Sequence, residues 1–359
     1  STLCGPESYS PRVIASDLDG MSMLHWPVNS RGDLGVWLDN SDGSASQRFV
    51  RFSDLGLRPL LFLPGIFGNM PKDGHLNEWL LYRGFDPEKL VLDPLAGTYD
   101  VAIQSFVDAG YVLDGLAEPT LYIANYDWRM PPAPVHEIAG AARDGPWQRD
   151  HDGVIKGISR DSLFDDKFEH GVDYLAFWLR KAKLDWESRT GRTLDSVDIY
   201  AHSTGGLVTR SYIQSDLYGD VDLPVVNRFI SMAVPHRGAS KAWNLMHDNM
   251  ASDPAYKLFF SKVAYAAYWK MIDSGSPIGS ATAGDEITLA RLEQAVREFP
   301  EVYGADTHEQ ALHQAFINLY IPTGRALLAT YPFILDSSGN YIPAPAAKQN
   351  ALALDLNNG

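Results

Sequence analysis

Ala201-His202-Ser203-Thr204-Gly205-Gly206 is the stretch on which the reading of this chain turns. Val197-Asp198-Ile199-Tyr200-Ala201 leads into it and predicts a strand, and residues 207–218 follow with helical spacing. A serine flanked at two positions before and two after by small residues, between strand and helix, marks a tight and strained turn. Here the small residues are Ala201 and Gly205, and Gly206 lets the helix begin close to the sheet. Such a turn lifts the serine hydroxyl above the strand ends and sets it at a helix N-terminus, where developing negative charge is favoured. A Ser/Thr/Gly string alone is a weak sign, because ordinary helix N-caps use the same residues. Strand, helix and both small flanks agree, which makes Ser203 a candidate nucleophile. His202 is expected to leave the turn on the side opposite Ser203 and to pack beneath it.

Working outward, Pro59-Leu60-Leu61-Phe62-Leu63 is a continuous apolar run of the kind that suits a parallel strand covered on both faces. It stops at Pro64-Gly65-Ile66-Phe67-Gly68-Asn69, whose glycines permit close backbone approach. Acyl transfer through a serine needs two N–H donors aimed at the tetrahedral oxygen. The backbone of Thr204, which follows the nucleophile, and that of Ile66 are the candidates. Thr120-Leu121-Tyr122-Ile123-Ala124 is a second apolar run, closed by Asn125-Tyr126-Asp127-Trp128-Arg129. Phe168, Val172, Leu175, Leu179, Ala182 and Trp186 recur at spacings of three and four and predict a long helix ending before Gly191. Residues 225–234 predict one more strand. Strands alternating with helices predict an α/β chain with a mostly parallel central sheet, specifically an α/β-hydrolase fold.

On this basis residues 1–57 form an N-terminal extension of turns and short strands, and 58–240 the α/β core. An irregular connection is expected over 130–160. Residues 241–320 predict helices without clear strands, a cap over the sheet. One segment of the cap is unusually aromatic (Leu258, Phe259, Phe260, Val263, Tyr265, Tyr268, Trp269, Met271). Residues 321–359 return toward the core.

Composition narrows the function. The formal charge is −15, with no basic cluster to displace counterions from a phosphate backbone, so nucleic acid is not an expected partner. Nothing is long and apolar enough to span a bilayer, and no signal peptide is visible at Ser1. The single cysteine, Cys4, excludes an internal disulfide framework and a cysteine zinc site. Asp39-Asn40-Ser41-Asp42-Gly43 lacks the ligand spacing of a calcium loop and reads as a turn. No metal or organic cofactor is implied.

Leu63-Pro64-Gly65-Ile66-Phe67-Gly68-Asn69, Tyr126-Asp127-Trp128-Arg129, the Ser203 turn and Val234-Pro235-His236-Arg237-Gly238 together resemble the lecithin–cholesterol acyltransferase-like family of lipases and acyltransferases. The likeness spans about 58–240, more loosely onward, and Tyr-Asp-Trp-Arg is its most specific part. It implies a lipid or other ester substrate, phospholipid included, with transient contact at a lipid surface. It also implies that Trp128, with Phe67, lines the acyl site, whereas Asp127 and Arg129 make a structural ion pair.

The likeness fails at the catalytic base. In this fold the order is Ser, Asp/Glu, His, and after Ser203 only His236, His247, His308 and His313 remain. His236 follows a strand where relatives carry no base, and His247, beside Asp248, opens the cap. Asp306, His308 and His313 share one predicted helical stretch, 305–319, although acid and base normally come from separate loops. They are weak internal candidates. Leu327-Leu328-Ala329-Thr330-Tyr331-Pro332-Phe333 resembles the return from cap to core, after which relatives continue through further strands. The expectation is therefore that the C-terminal part of the fold is absent from residues 1–359, and that a C-terminal segment or a partner chain completes sheet and triad. Two other readings stay open: a non-catalytic hydrolase-like module that binds lipid or protein, and a small-ester carboxylesterase or amidase.

Overall fold

A computed structural model describes residues 57–93, 97–134, 154–155, 157–247, 263–298, 307–343 and 351–357, together with the backbone of four strands ahead of them. Those four, β1 (Ser10–Ile14), β2 (Leu24–Val28), β3 (Leu34–Asp39) and β4 (Ala45–Val50), form an antiparallel meander in chain order. Cys4, residues 40–43, much of the 130–160 connection, Asp248, Leu258, Phe259, Phe260 and Asp306 lie outside the described residues.

The chain then enters β5 (Leu60–Leu63), wholly buried. Short elements follow: β6 (Asn69–Pro71), α1 (Leu76–Leu81), β7 (Tyr82–Arg83), β8 (Leu90–Leu92) and α2 (Asp100–Asp108). Next come β9 (Leu121–Ile123), the long helix α3 (Gly171–Thr190), β10 (Ser196–His202), α4 (Thr204–Ile213) and β11 (Val225–Met232). The central sheet has the order β11-β10-β5-β9, and all three of its pairings are parallel. Successive strand residues point to opposite faces, and the core divides accordingly. Leu61, Leu63, Val197, Ile199 and Ala201 join α3 and α4 in the larger cluster. Leu60, Phe62, Leu121 and Tyr200 meet Tyr99, Ile103 and Phe106 of the α2 segment on the other face. The molecule is thus α/β, with a parallel central sheet and helices on both sides.

Local chemistry moves the predicted boundaries. The helix anticipated from Phe168 starts at Gly171, because the His170 N–H is taken by the Asp173 carboxylate at 2.8 Å. Phe168 instead stacks on Tyr174, with ring centroids 4.6 Å apart. The helix ends as read, at Gly191, which takes the left-handed conformation (φ 65°) and donates to Glu187 O. The helix anticipated over 207–218 runs instead from Thr204 to Ile213. Ser203 is its N-cap, and Ser215 ends it by folding its hydroxyl onto Tyr212 O and bridging to Ile155. β11 stops at Met232, just before Ala233 at φ 49°.

Beyond β11 come α5 (Lys241–Met246), α6 (Ala264–Ser274), a two-residue β12 (Gly279–Ser280) paired with β7, α7 (Leu289–Glu298) and α8 (His308–Tyr320). α8 opens on a capping box between Thr307 and Gln310. The described part of the aromatic stripe on α6 is divided between core and surface, with Trp269 exposed. Tyr268 and Met271 are buried, and the Tyr268 ring meets Phe316 of α8 edge-on at 5.3 Å. The remainder is α9 (Thr323–Ala326), an antiparallel pair β13 (Ile334–Leu335) and β14 (Tyr341–Ile342), and α10 (Ala351–Asn357). Residues 327–330 run beside 237–239 (Ala239 N–H to Leu327 O 2.7 Å, Thr330 N–H to Arg237 O 2.9 Å) without joining the central sheet. α10 docks on α4, its Leu356 carbonyl accepting from Arg210 and Gln214. Among the described residues nothing pairs with the outer edge of β11, where Ile230 and Met232 are exposed.

Candidate active site

β5 and β10 are neighbours, in register from Leu60↔Asp198 to Leu63↔Ala201. After β5 the chain passes through α2 on one face to reach β9; after β10 it passes through α4 on the other face to reach β11. The two loops therefore leave in opposite directions at the carboxyl ends of the strands, the usual ligand position of open α/β sheets. One of those loops holds residues 64–69 and the other holds Ser203.

Ser203 sits at φ 52° and ψ −124°, a conformation that L-residues avoid. Three close approaches hold it there. A methyl group on Gly65 would lie 2.7 Å from Ser203 Cβ and 3.2 Å from its Oγ. One on Gly205 would lie 2.5 Å from Pro64 O, and one on Gly206 would overlap Val234. Ala201 is fully buried in the sheet. The small residues around the serine are thus required by contact as well as by the turn.

The 65–68 segment is a turn closed by a 2.9 Å bond from Gly68 N–H to Gly65 O. Its third residue, Phe67, has φ 63°, strained for a bulky side chain. The Phe67 ring is met edge-on by Trp128 at 4.6 Å, and Trp128 donates its indole N–H to Asn69 O at 2.9 Å. Trp128 is itself buried, whereas Phe67 and Ile66 are half-buried. Among the described residues, neither the Ile66 nor the Thr204 N–H has a backbone acceptor.

Asp127 and Arg129 pair at 2.6 Å with no exposure. Asp127 also accepts from the Gly84 and Phe85 N–H groups. Arg129 donates to the carbonyls of Trp79 and Tyr82 and to Tyr320 Oη, all at 2.7 Å. Burial would push the guanidinium down, but the Asp127 charge beside it prevails and holds its pKa above the usual value.

Two buried tyrosines that sequence reasoning did not single out link the 64–69 loop and the Ser203 turn. Tyr126 donates to Pro64 O at 3.1 Å and meets Thr204 Oγ1 at 2.8 Å. Tyr99, the residue before α2, accepts from Gly65 N–H at 3.0 Å and meets His202 Nδ1 at 2.9 Å. Burial raises both phenols above the ordinary value, so they act as neutral hydroxyls. Tyr126 lies in the Tyr-Asp-Trp-Arg block, but nothing in Gly97-Thr98-Tyr99-Asp100 marks Tyr99. His202 points to Tyr99, and burial lowers its pKa.

The four histidines after Ser203 are engaged elsewhere. His236 faces Arg210 at 3.5 Å, and its carbonyl accepts from Asn357. Burial, then the Arg210 charge, lowers its pKa. His247 bonds Trp243 O at 2.7 Å and lies against that indole. His308 pairs with Glu293 at 3.1 Å. His313 is packed among Tyr265, Tyr268 and Trp269 of α6. The internal triad candidates are therefore spread over helix contacts. Among the described residues no histidine is hydrogen-bonded to Ser203, and no group of acids, histidines or cysteines is arranged to hold a metal.

No family model and no curated protein matches this chain.

Proposed function

We propose that residues 1–359 carry the nucleophile half of an α/β-hydrolase that transfers acyl groups through Ser203. The observation that carries this reading is the strained Ser203 backbone at the carboxyl end of β10, approached closely by Gly65 and followed by Gly205 and Gly206, with two N–H groups in the adjoining segments that lack backbone acceptors. Strain of this kind persists only where the surroundings over-determine it, and it collects at reacting centres. In the proposed reaction Ser203 Oγ attacks the ester carbonyl carbon as a base removes its proton. The Ile66 and Thr204 N–H groups stabilise the oxyanion, and collapse expels the alcohol and leaves an acyl-Ser203. Water or a second alcohol then takes the acyl group. Lipid esters, phospholipids included, are the proposed substrates, on the strength of the likeness to the lecithin–cholesterol acyltransferase-like family.

The base and acid are proposed to come from a C-terminal segment or partner chain outside residues 1–359, added at the open β11 edge. One observation favours a second reading, a non-catalytic lipid- or protein-binding module: none of the described histidines engages Ser203. An active-site fluorophosphonate separates the two. With the proposed C-terminal segment or partner present, the hydrolase reading expects labelling at Ser203 that Ser203→Ala abolishes; a folded, completed wild-type protein that stays unlabelled supports the module. Chain-length preference on p-nitrophenyl esters then divides lipase from small-ester carboxylesterase.

A further inference from the structure

The β5–β10 ladder ends at Leu63↔Ala201. Beyond that pair, the two loops carrying Ile66 and Thr204 have no strand pairing to set their separation. An oxyanion hole works only if its donors are held at a fixed spacing before the charge develops. The peptide unit joining Pro64 to Gly65 is gripped at both ends. Its carbonyl accepts from Tyr126 and its N–H donates to Tyr99. Each hydroxyl then reaches across to the other loop, Tyr126 to Thr204 Oγ1 and Tyr99 to His202 Nδ1.

The directions follow from proton counting. Tyr126 has one proton, and Pro64 O can only accept, so Thr204 donates its hydroxyl to Tyr126. Tyr99 accepts from Gly65 and keeps one proton of its own, so its bond to His202 Nδ1 runs from Tyr99 when the ring proton is on Nε2 and from the ring when it is on Nδ1. Both hydroxyls are buried, where such bonds are stronger than in water.

We propose that Tyr126 and Tyr99 are positioning residues that together set the distance and orientation between the Ile66 and Thr204 N–H donors. Neither hydroxyl touches the substrate; each ties the loop after β5 to the turn after β10. This rests on the acyl-transfer reading.

The test compares Tyr126→Phe and Tyr99→Phe in the full-length protein. It measures kcat and KM on a p-nitrophenyl ester and the rate of Ser203 labelling by a fluorophosphonate, with active sites counted by titration. Misplacing an oxyanion donor is expected to lower kcat and the labelling rate by roughly 10- to 100-fold, with KM unchanged. Tyr122→Phe, which removes a buried hydroxyl bonded to Pro119 O and Asp185, is expected to leave kcat per titrated site unchanged. A second route removes the other end of the bond. Thr204→Val should match Tyr126→Phe, and the Tyr126→Phe/Thr204→Val double variant should be no worse than either single. Tyrosine variants with wild-type kcat and labelling rate per site overturn the positioning role and leave the hydrolase reading standing. A folded wild-type protein that neither labels nor turns over overturns the hydrolase reading, and the positioning role with it.

Discussion

At the scale of single residues, the glycines around Ser203 offer the sharpest tests. A methyl on Gly205 would press on backbone oxygens of Leu63 and Pro64, which a β-strand cannot readily move. Gly205→Ala is therefore expected to cost about 1–3 kcal/mol, read as a lowered urea midpoint. A methyl on Gly65 meets Ser203 itself. Gly65→Ala should suppress fluorophosphonate labelling more than it lowers stability; equal labelling by the two variants would show that Gly65 does not crowd the nucleophile. His202 gives a pH signature. Its folded pKa is depressed by burial, so the unfolded chain takes up the proton first as pH falls. The contribution of its neutral form is complete above the unfolded value near 6.5 and declines as pH drops through that value toward the folded one. Protonated Nδ1 also cannot accept from Tyr99. The melting temperature should fall more steeply below about pH 6.5 in wild type than in His202→Gln; parallel curves would remove His202 from this account. The pattern Ala-x-Ser-x-Gly-Gly was legible because its requirement is steric and local. Tyr99 was not legible, because its role depends on two loops that approach only after folding.

At the scale of elements, the Asp127–Arg129 pair joins pieces distant in sequence. Arg129 stacks over Trp79 of α1 at 4.1 Å, donates to the carbonyl of Tyr82 and reaches Tyr320 at the end of α8. Tyr320 in turn donates to Leu80 O. Arg83 on β7 meets Asp285, which also holds Arg291 of α7. The helices after β11 are therefore anchored to the segment between β5 and β9 through buried, charged hydrogen bonds. Arg129→Met leaves the Asp127 charge buried without its partner and is expected to cost about 3–5 kcal/mol in chemical denaturation. Arg129→Lys should fall well short of wild type, since one ammonium cannot reproduce the planar fork that serves Asp127, two carbonyls and Tyr320. A lysine variant as stable as wild type would mean that charge alone matters there. The ion pair could be anticipated from the block itself; its role as an anchor for α8 required the fold.

At the scale of the whole molecule, the two edges of the central sheet differ among the described residues. The outer side of β9 is bridged by residues 112–114 (Leu121 N–H to Val112 O and Asp114 N–H to Leu121 O, both 2.8 Å), whereas among the described residues nothing pairs with the outer edge of β11, whose Ile230 and Met232 are exposed. Open edges with apolar side chains template association. The 1–359 chain should self-associate with rising concentration, and Ile230→Lys should reduce this, as read by light scattering. Association unchanged by the substitution would place the contact elsewhere. The same edge is where the proposed C-terminal segment or partner would pair, so its addition should protect β11 amides from hydrogen exchange.

The sequence by itself determined the alternation of strand and helix, the strained serine turn and the glycines that accompany it. These follow from periodicity and from steric rules acting within a few residues. Only the tertiary structure decided that β5 and β10 lie side by side, so that residues 64–69 face Ser203. It alone placed two tyrosines between those loops and turned the later histidines to other partners. Strand order and side-chain pairing across distant segments depend on which buried surfaces fit one another, and no local pattern encodes that fit.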